Sequence, residues 1–84
     1  MNNITIYTTQ FCPYCVRAKQ LLENKGAKYD ELKVDGDASL RQIMTNKCNS
    51  RSVPQIWIGD THVGGCDELF ALERTNKLDE LLNR

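Results

Sequence analysis

The chain opens on Ile4-Thr5-Ile6-Tyr7, an alternating, β-branched run with the two-residue period of a strand. Thr8 to Phe11 then reads as a loop. Beyond it Cys15, Ala18 and Leu22, with Leu21 beside them, recur at helical spacing. Pro13 suits the first turn of that helix, where a missing N–H breaks no bond, and Gly26 supplies the stop. Tyr29 to Val34 reads as a second strand with Leu32 and Val34 on one face. Asp37 is placed to cap a short helix carrying Leu40, Ile43 and Met44. Val53-Pro54 breaks the pattern before a third strand, Gln55-Ile56-Trp57-Ile58, and Gly59-Asp60 turns the chain into a fourth, Thr61 to Val63. After Gly64-Gly65 a last helical segment carries Leu69 and Leu72, and Leu78, Leu81 and Leu82 keep an i, i+3, i+4 face. The predicted order is β-α-β-α-β-β-α. Strand, helix, strand in succession implies a right-handed parallel unit, and the later hairpin makes the four-stranded sheet mixed, flanked by helices.

With 84 residues, the chain makes one domain, residues 1–84, and an apolar fraction of 40% supports a modest core. The 11 basic and 11 acidic residues cancel, which argues against a nucleic-acid partner, since that needs a basic footprint. No segment approaches membrane-spanning length. Met1-Asn2-Asn3-Ile4 lacks the cationic and apolar run of a secretory signal, so a cytoplasmic location with mostly reduced thiols is expected.

Of the four cysteines, Cys12 and Cys15 bracket Pro13 and Tyr14 at the junction of loop and helix. A disulfide closing so small a ring is a weak staple, worth about 2 kcal/mol in the chain-entropy model. Chemistry is the better account, because a dithiol at this spacing passes electrons by exchange. At a helix start, free N–H groups and the positive dipole end favour the Cys12 thiolate, and Arg17 and Lys19 bring positive charge nearby. Lowering a thiol pKa from about 8.5 to about 5.5 raises its ionised fraction at pH 7 roughly thirtyfold. A Brønsted coefficient of ~0.4–0.5 makes each thiolate roughly 15–30 times less nucleophilic. The gain is therefore in leaving, not in attacking. Cys15, one turn later on the same face, is expected to be more buried and to resolve a mixed disulfide at Cys12.

Over essentially its whole length the chain resembles the small dithiol glutaredoxins of the bacterial type, within the thioredoxin-like folds. The residues that carry the resemblance are Ile6-Tyr7-Thr8 before Cys12-Pro13-Tyr14-Cys15, then Arg17-Ala18-Lys19, Leu21-Leu22, Ser52-Val53-Pro54-Gln55-Ile56 and Gly64-Gly65-Cys66-Asp67-Glu68-Leu69. The chain departs from the family pattern at Thr9-Gln10-Phe11, where a lysine is common, and at Ser52, where threonine is preferred.

The resemblance implies a glutathione-dependent thiol–disulfide oxidoreductase, monomeric and with no tightly bound cofactor or metal. Glutathione is its co-substrate. Its partners are disulfide-containing or glutathionylated proteins, ribonucleotide reductase among the candidates. It further implies that Val53 pairs its backbone with glutathione like one more strand and that Pro54 carries a cis peptide bond. Gly65 permits close approach. The helix start at Cys66 and Asp67 receives the γ-glutamyl carboxylate, the Asp67 side chain meets the ammonium, Arg51 meets the other carboxylate, and Tyr14 flanks the exchange site.

For Asp67 and Arg51 the plain alternatives are a helix cap and a solvated charge; for Tyr14 and Phe11, ordinary packing. Tyr7, Trp57 and Phe70 read as core or sheet surface, and His62 as non-catalytic. Cys66 follows Gly-Gly at a second helix start, where a weaker acidifying effect competes with a role as apolar filler. Cys48 lies in a polar stretch and is expected to be exposed. Three other functions stay open on the residues alone. One is a thioredoxin-like carrier served by a flavoprotein reductase. A second is a metal module: the lack of a second close cysteine pair weakens zinc, and the resemblance sets Pro13 against an iron–sulfur cluster bridged between two subunits; the third is a secreted disulfide scaffold.

Overall fold

The structure is a computed structural model that describes residues 3–83. Its elements are β1 (Ile4–Thr8), α1 (Pro13–Asn24), β2 (Asp30–Lys33), α2 (Ala38–Cys48), β3 (Gln55–Ile58), β4 (Thr61–Gly64), α3 (Cys66–Arg74) and α4 (Lys77–Leu82). The strands form one sheet in the order β2-β1-β3-β4. β1 runs parallel to β2 and antiparallel to β3, and β3 pairs antiparallel with β4. This is the mixed sheet that the sequence implies, with helices on both faces.

Strand alternation divides the core in two. Ile4, Ile6, Ile56 and Ile58 face one way and pack with Ala18, Leu21 and Leu22 of α1, Leu69 of α3, and Leu78 and Leu82 of α4. Tyr7, Val34 and Trp57 lie on the opposite side with Met44 of α2. Each fully buried aliphatic side chain contributes roughly 1.5–3 kcal/mol. The sheet is thus clamped by helices on both sides, and its inner strand β1 leads through the Thr9–Phe11 loop to the dithiol.

The local signals act where the sequence places them. Asp37 Oδ1 accepts from the Leu40 N–H at 2.9 Å and caps α2. Gly26 follows the end of α1 with φ +69°, the left-handed region that glycine adopts without steric cost. The Val53–Pro54 peptide is cis.

Three expectations need adjustment. Ile43 is exposed instead of sharing the buried face of α2 with Met44, because its position on that helix turns it away from the sheet. The last helical stretch is broken at Asn76, whose φ of +61° separates α3 from α4. Thr8, read as loop, closes β1 and is fully buried.

Thr8 satisfies its hydroxyl by donating to Glu31 Oε2 at 2.7 Å, and Lys19 pairs with the same oxygen at 2.9 Å. These contacts hold the Glu31 carboxyl below the ordinary range, the Thr8 bond first and Lys19 after it, against partial burial that acts the other way. A depressed folded-state pKa stabilises the fold above the unfolded value, about 4.3 for Glu, and that stability is lost as pH falls through the folded value. Thr8→Val should therefore lower unfolding free energy by about 1 kcal/mol near pH 7. In urea titrations the gap between the proteins should narrow below about pH 4; a gap that stays constant or widens there would refute this role.

Candidate active site at the head of the first helix

Cys12 is the N-cap of α1. Its backbone is extended (φ −132°, ψ 100°), and its sulfur accepts the Cys15 N–H at 3.1 Å. A sulfur thus occupies the place usually taken by a serine or aspartate oxygen, among N–H groups that the helix leaves unpaired. Cys12 and Cys15 are joined as a disulfide, with Cα atoms 5.1 Å apart. Cys12 is half-buried, whereas Cys15 is 1% exposed, so of the two sulfurs only that of Cys12 is open to an incoming partner.

The charges assigned to Cys12 from the sequence are engaged elsewhere. Lys19 is paired with Glu31, and the Arg17 guanidinium lies over the Phe70 ring, 5.5 Å from its centroid. What lies directly against the Cys12 sulfur is the helix start, through the Cys15 N–H.

The loop before β3 runs alongside this sulfur, with the Val53 carbonyl oxygen 3.9 Å from Cys12 Sγ. Next to it is a cleft of about 180 Å³ lined by Tyr14, Ser52, Val53, Pro54, Gln55, Gly65, Cys66, Asp67 and Glu68. Its far wall is the start of α3. There Glu68 Oε1 accepts the Gly65 N–H at 2.7 Å. Gly64 has φ +115°, and a Cβ on it would lie 2.9 Å from Glu68 Oε1; one on Gly65 would lie 3.3 Å from the Pro54 carbonyl. The glycine pair thus lets the head of α3 close against both its own cap and the Pro54 loop.

The fold gathers Tyr14, Val53, Pro54, Gly65, Cys66 and Asp67 around one cleft. Asp67 is exposed at its edge, and Tyr14, 58% exposed, lines the cleft from within the Cys12–Cys15 segment. Arg51 is not among the lining residues. It lines a separate depression of about 370 Å³ with Arg41 and the start of α2, and its carbonyl accepts from the Arg41 guanidinium at 2.9 Å. Phe11 is 89% exposed and also stands off the cleft. Sequence reasoning gave no role to Ser52, Gln55 or Glu68; Glu68 was legible as the partner, three residues on, of a glycine at a helix start.

Of the remaining cysteines, Cys66 takes the filler alternative and Cys48 departs from its expected exposure. Cys66 is 6% exposed within the core, and burial pushes its thiol up, outweighing the nearby Arg17 charge. The weak acidification expected from its helix start does not survive that desolvation. Cys48 is half-buried instead of exposed, packs beside Met44 and Trp57, and sets its sulfur 3.2 Å from the Met44 carbonyl. Cys48 and Cys66 belong to the clusters on opposite faces of the sheet, so they do not converge with the dithiol on a common centre.

The glutaredoxin family profile matches residues 4–63. A curated glutaredoxin of Pseudomonas aeruginosa is 58% identical over 83 residues, covering 99% of both chains. The solution structure of glutaredoxin from Brucella melitensis superposes with a TM-score of 0.87 at 49% identity, over 98% of this chain and 89% of that one. The crystal structure of a buckwheat glutaredoxin–glutathione complex superposes with a TM-score of 0.90 at 29% identity, over 98% and 77%.

Burial orders the two spare thiols. In a Cys12→Ser/Cys15→Ser variant at pH 8, native Cys66 should react with an alkylating reagent on the order of tenfold more slowly than free cysteine, and more slowly than Cys48. Peptide mapping by mass spectrometry distinguishes the two sites, and preferential labelling of Cys66 would contradict its assignment as core filler.

Proposed function

The chain belongs to the glutaredoxin family and is a glutathione-dependent thiol–disulfide oxidoreductase, in which we propose that Cys12 is the nucleophile and Cys15 the resolving thiol. The observation that carries these roles is the contrast between a half-buried sulfur capping α1 and a partner sulfur sealed in the core. In the reduced enzyme the Cys12 thiolate attacks the glutathione sulfur of a mixed disulfide. A Cys12–glutathione bond forms, and the substrate thiolate leaves and takes a proton. A second glutathione thiolate attacks the glutathione sulfur of that adduct, releasing glutathione disulfide and the Cys12 thiolate. With a protein disulfide as substrate, Cys12 attacks first. Cys15 then displaces the substrate from Cys12, leaving the Cys12–Cys15 disulfide, and two glutathiones return it to the dithiol.

Each turnover requires Cys12 to depart as an anion. The unpaired N–H groups of α1, with the Cys15 N–H already aimed at the sulfur, favour that departure. Family potentials of about −200 to −230 mV lie near the glutathione pool, so exchange runs in either direction with the glutathione ratio.

We assign the cleft to glutathione. The Val53 N–H and carbonyl pair with its cysteine backbone as an added strand, beside the sulfur under attack. The N–H groups at the start of α3, at Cys66 and Asp67, receive the γ-glutamyl carboxylate, and the Asp67 carboxylate meets the ammonium. Gly65 and Pro54 shape the approach, and Tyr14 forms the rim. Arg51, in the neighbouring depression, takes the second carboxylate only by reaching across from that side, which makes it the weakest of these contacts. The chain acts as a monomer in the cytoplasm, on glutathionylated and disulfide-bonded proteins.

In a glutathione-coupled assay on a small mixed disulfide, Cys12→Ser should abolish turnover while Cys15→Ser retains it; the reverse pattern would exchange the two roles. Asp67→Ala should raise the glutathione concentration for half-maximal rate roughly three- to tenfold, the scale of one charge-assisted contact at a half-open site. An unchanged value would leave Asp67 a helix-start residue and no more.

A further inference from the structure

The Ser52–Pro54 loop is held from behind by a buried amide. Gln55, at the head of β3, is 6% exposed, an unusual depth for glutamine. A polar side chain so placed needs partners at both ends. Its Nε2 donates to the Ser52 carbonyl at 3.1 Å and approaches Ser52 Oγ at 3.3 Å, while its Oε1 lies 2.8 Å from His62 Nε2. The Ser52 carbonyl only accepts, which fixes Nε2 as the donor end of the amide. Oε1 is then the acceptor, and His62 must carry a proton on Nε2.

His62 reaches Gln55 because of the sheet register. It pairs across the β3–β4 ladder with Trp57, and Gln55 sits two residues back from Trp57 on the same face, as a diagonal neighbour. The imidazole belongs to an exposed residue but has an aromatic neighbour. It stacks on Trp57 with centroids 4.5 Å apart at 30°; Tyr7 meets Trp57 edge-on, and Lys47 Nζ lies 4.8 Å from the Trp57 centroid. The donor that orients Gln55 thus lies in an aromatic stack.

We propose that Gln55 and His62 are positioning residues for glutathione. Gln55 sets the place of the Ser52–Pro54 backbone, and His62 sets the amide of Gln55. Neither touches the reacting sulfurs. The inference deepens the reading above and rests on its assignment of Val53 as the glutathione-pairing edge. Backbone pairing tolerates little displacement, since hydrogen bonds weaken steeply with distance and angle. A loop released from Gln55 would therefore bind glutathione more weakly without altering the sulfur that caps α1.

The test compares Gln55→Leu, which keeps the bulk and removes both polar ends, His62→Phe, which keeps a stacking ring and removes the donor, and the double variant. In steady-state assays with a glutathionylated peptide, Gln55→Leu should raise KM roughly three- to tenfold and His62→Phe about two- to threefold. The double variant should be no worse than Gln55→Leu, because both changes interrupt one chain of contacts. The alkylation rate of reduced Cys12 should stay at the parental value, and the Val53 backbone amide resonance should shift in both single variants. A purely structural role would lower melting temperature and leave KM in place. The inference is overturned if KM stays within about twofold of the parent in Gln55→Leu, or if the two effects multiply. A parent enzyme that ignores glutathione would overturn the proposed function and this inference together, whereas an active parent with an unchanged Gln55→Leu variant would overturn this inference alone.

Discussion

A sulfur accepting a backbone hydrogen bond at the head of a helix is the interaction on which the rest of this molecule depends. The Cys15 N–H is an orphan donor that every α-helix must satisfy at its start, and here Cys12 Sγ satisfies it. Placing that sulfur requires the loop after β1 to turn at Gln10-Phe11 and bring Cys12 to the helix start in an extended conformation. It also requires Pro13 to begin the helix without needing a donor of its own, and Ala18, Leu21 and Leu22 to anchor the helix on the sheet. The donor points at the sulfur while the disulfide is intact. Little reorientation is then needed when the bond opens and charge arrives, which is the sense in which such a site is preorganised.

The cleft beside the sulfur is built from parts of the chain that are distant in sequence. One wall is the loop ahead of β3, supported from within by Gln55; the other is the start of α3, drawn close by Gly64 and Gly65 and closed by Glu68. Both walls are tied to the sheet that also carries β1. Packing on the Ile56–Leu69 side and stacking on the Tyr7–Trp57 side therefore act on one small site through a shared scaffold.

Much of this was legible in the sequence because the signals are local. Alternation at Ile4 to Tyr7, the cap at Asp37, the stop at Gly26 and the turn at Gly59-Asp60 each specify short-range geometry, and the spacing of the cysteine pair points to exchange chemistry, made specific by the Val53-Pro54 and Gly64-Gly65-Cys66-Asp67 segments that follow it in order. What escaped depended on contacts between distant residues. The charges of Arg17 and Lys19 are nearby in sequence, yet Phe70 and Glu31 claim them in space. Cys66 has the helix start that favours a thiolate, but desolvation outweighs it, and nothing in a single sequence reports how deep a cysteine will lie. Ile43 missed the core by its position around α2. The Gln55–His62 pairing is a cross-strand diagonal, invisible until the β3–β4 register is known.

The two outer strands of the sheet bear on behaviour in concentrated solution. A protein whose charges cancel loses the mutual repulsion that keeps molecules apart, and an open strand is a template for pairing with a neighbour. One edge here is only four residues long, and three of its four residues, Asp30, Glu31 and Lys33, are charged. The other, equally short, borders a register shift between Ile56 and Trp57. Short, charged or irregular edges resist strand recruitment. With formal net charge at zero, the features that oppose strand recruitment in this chain are the shortness, charge and irregularity of its margins.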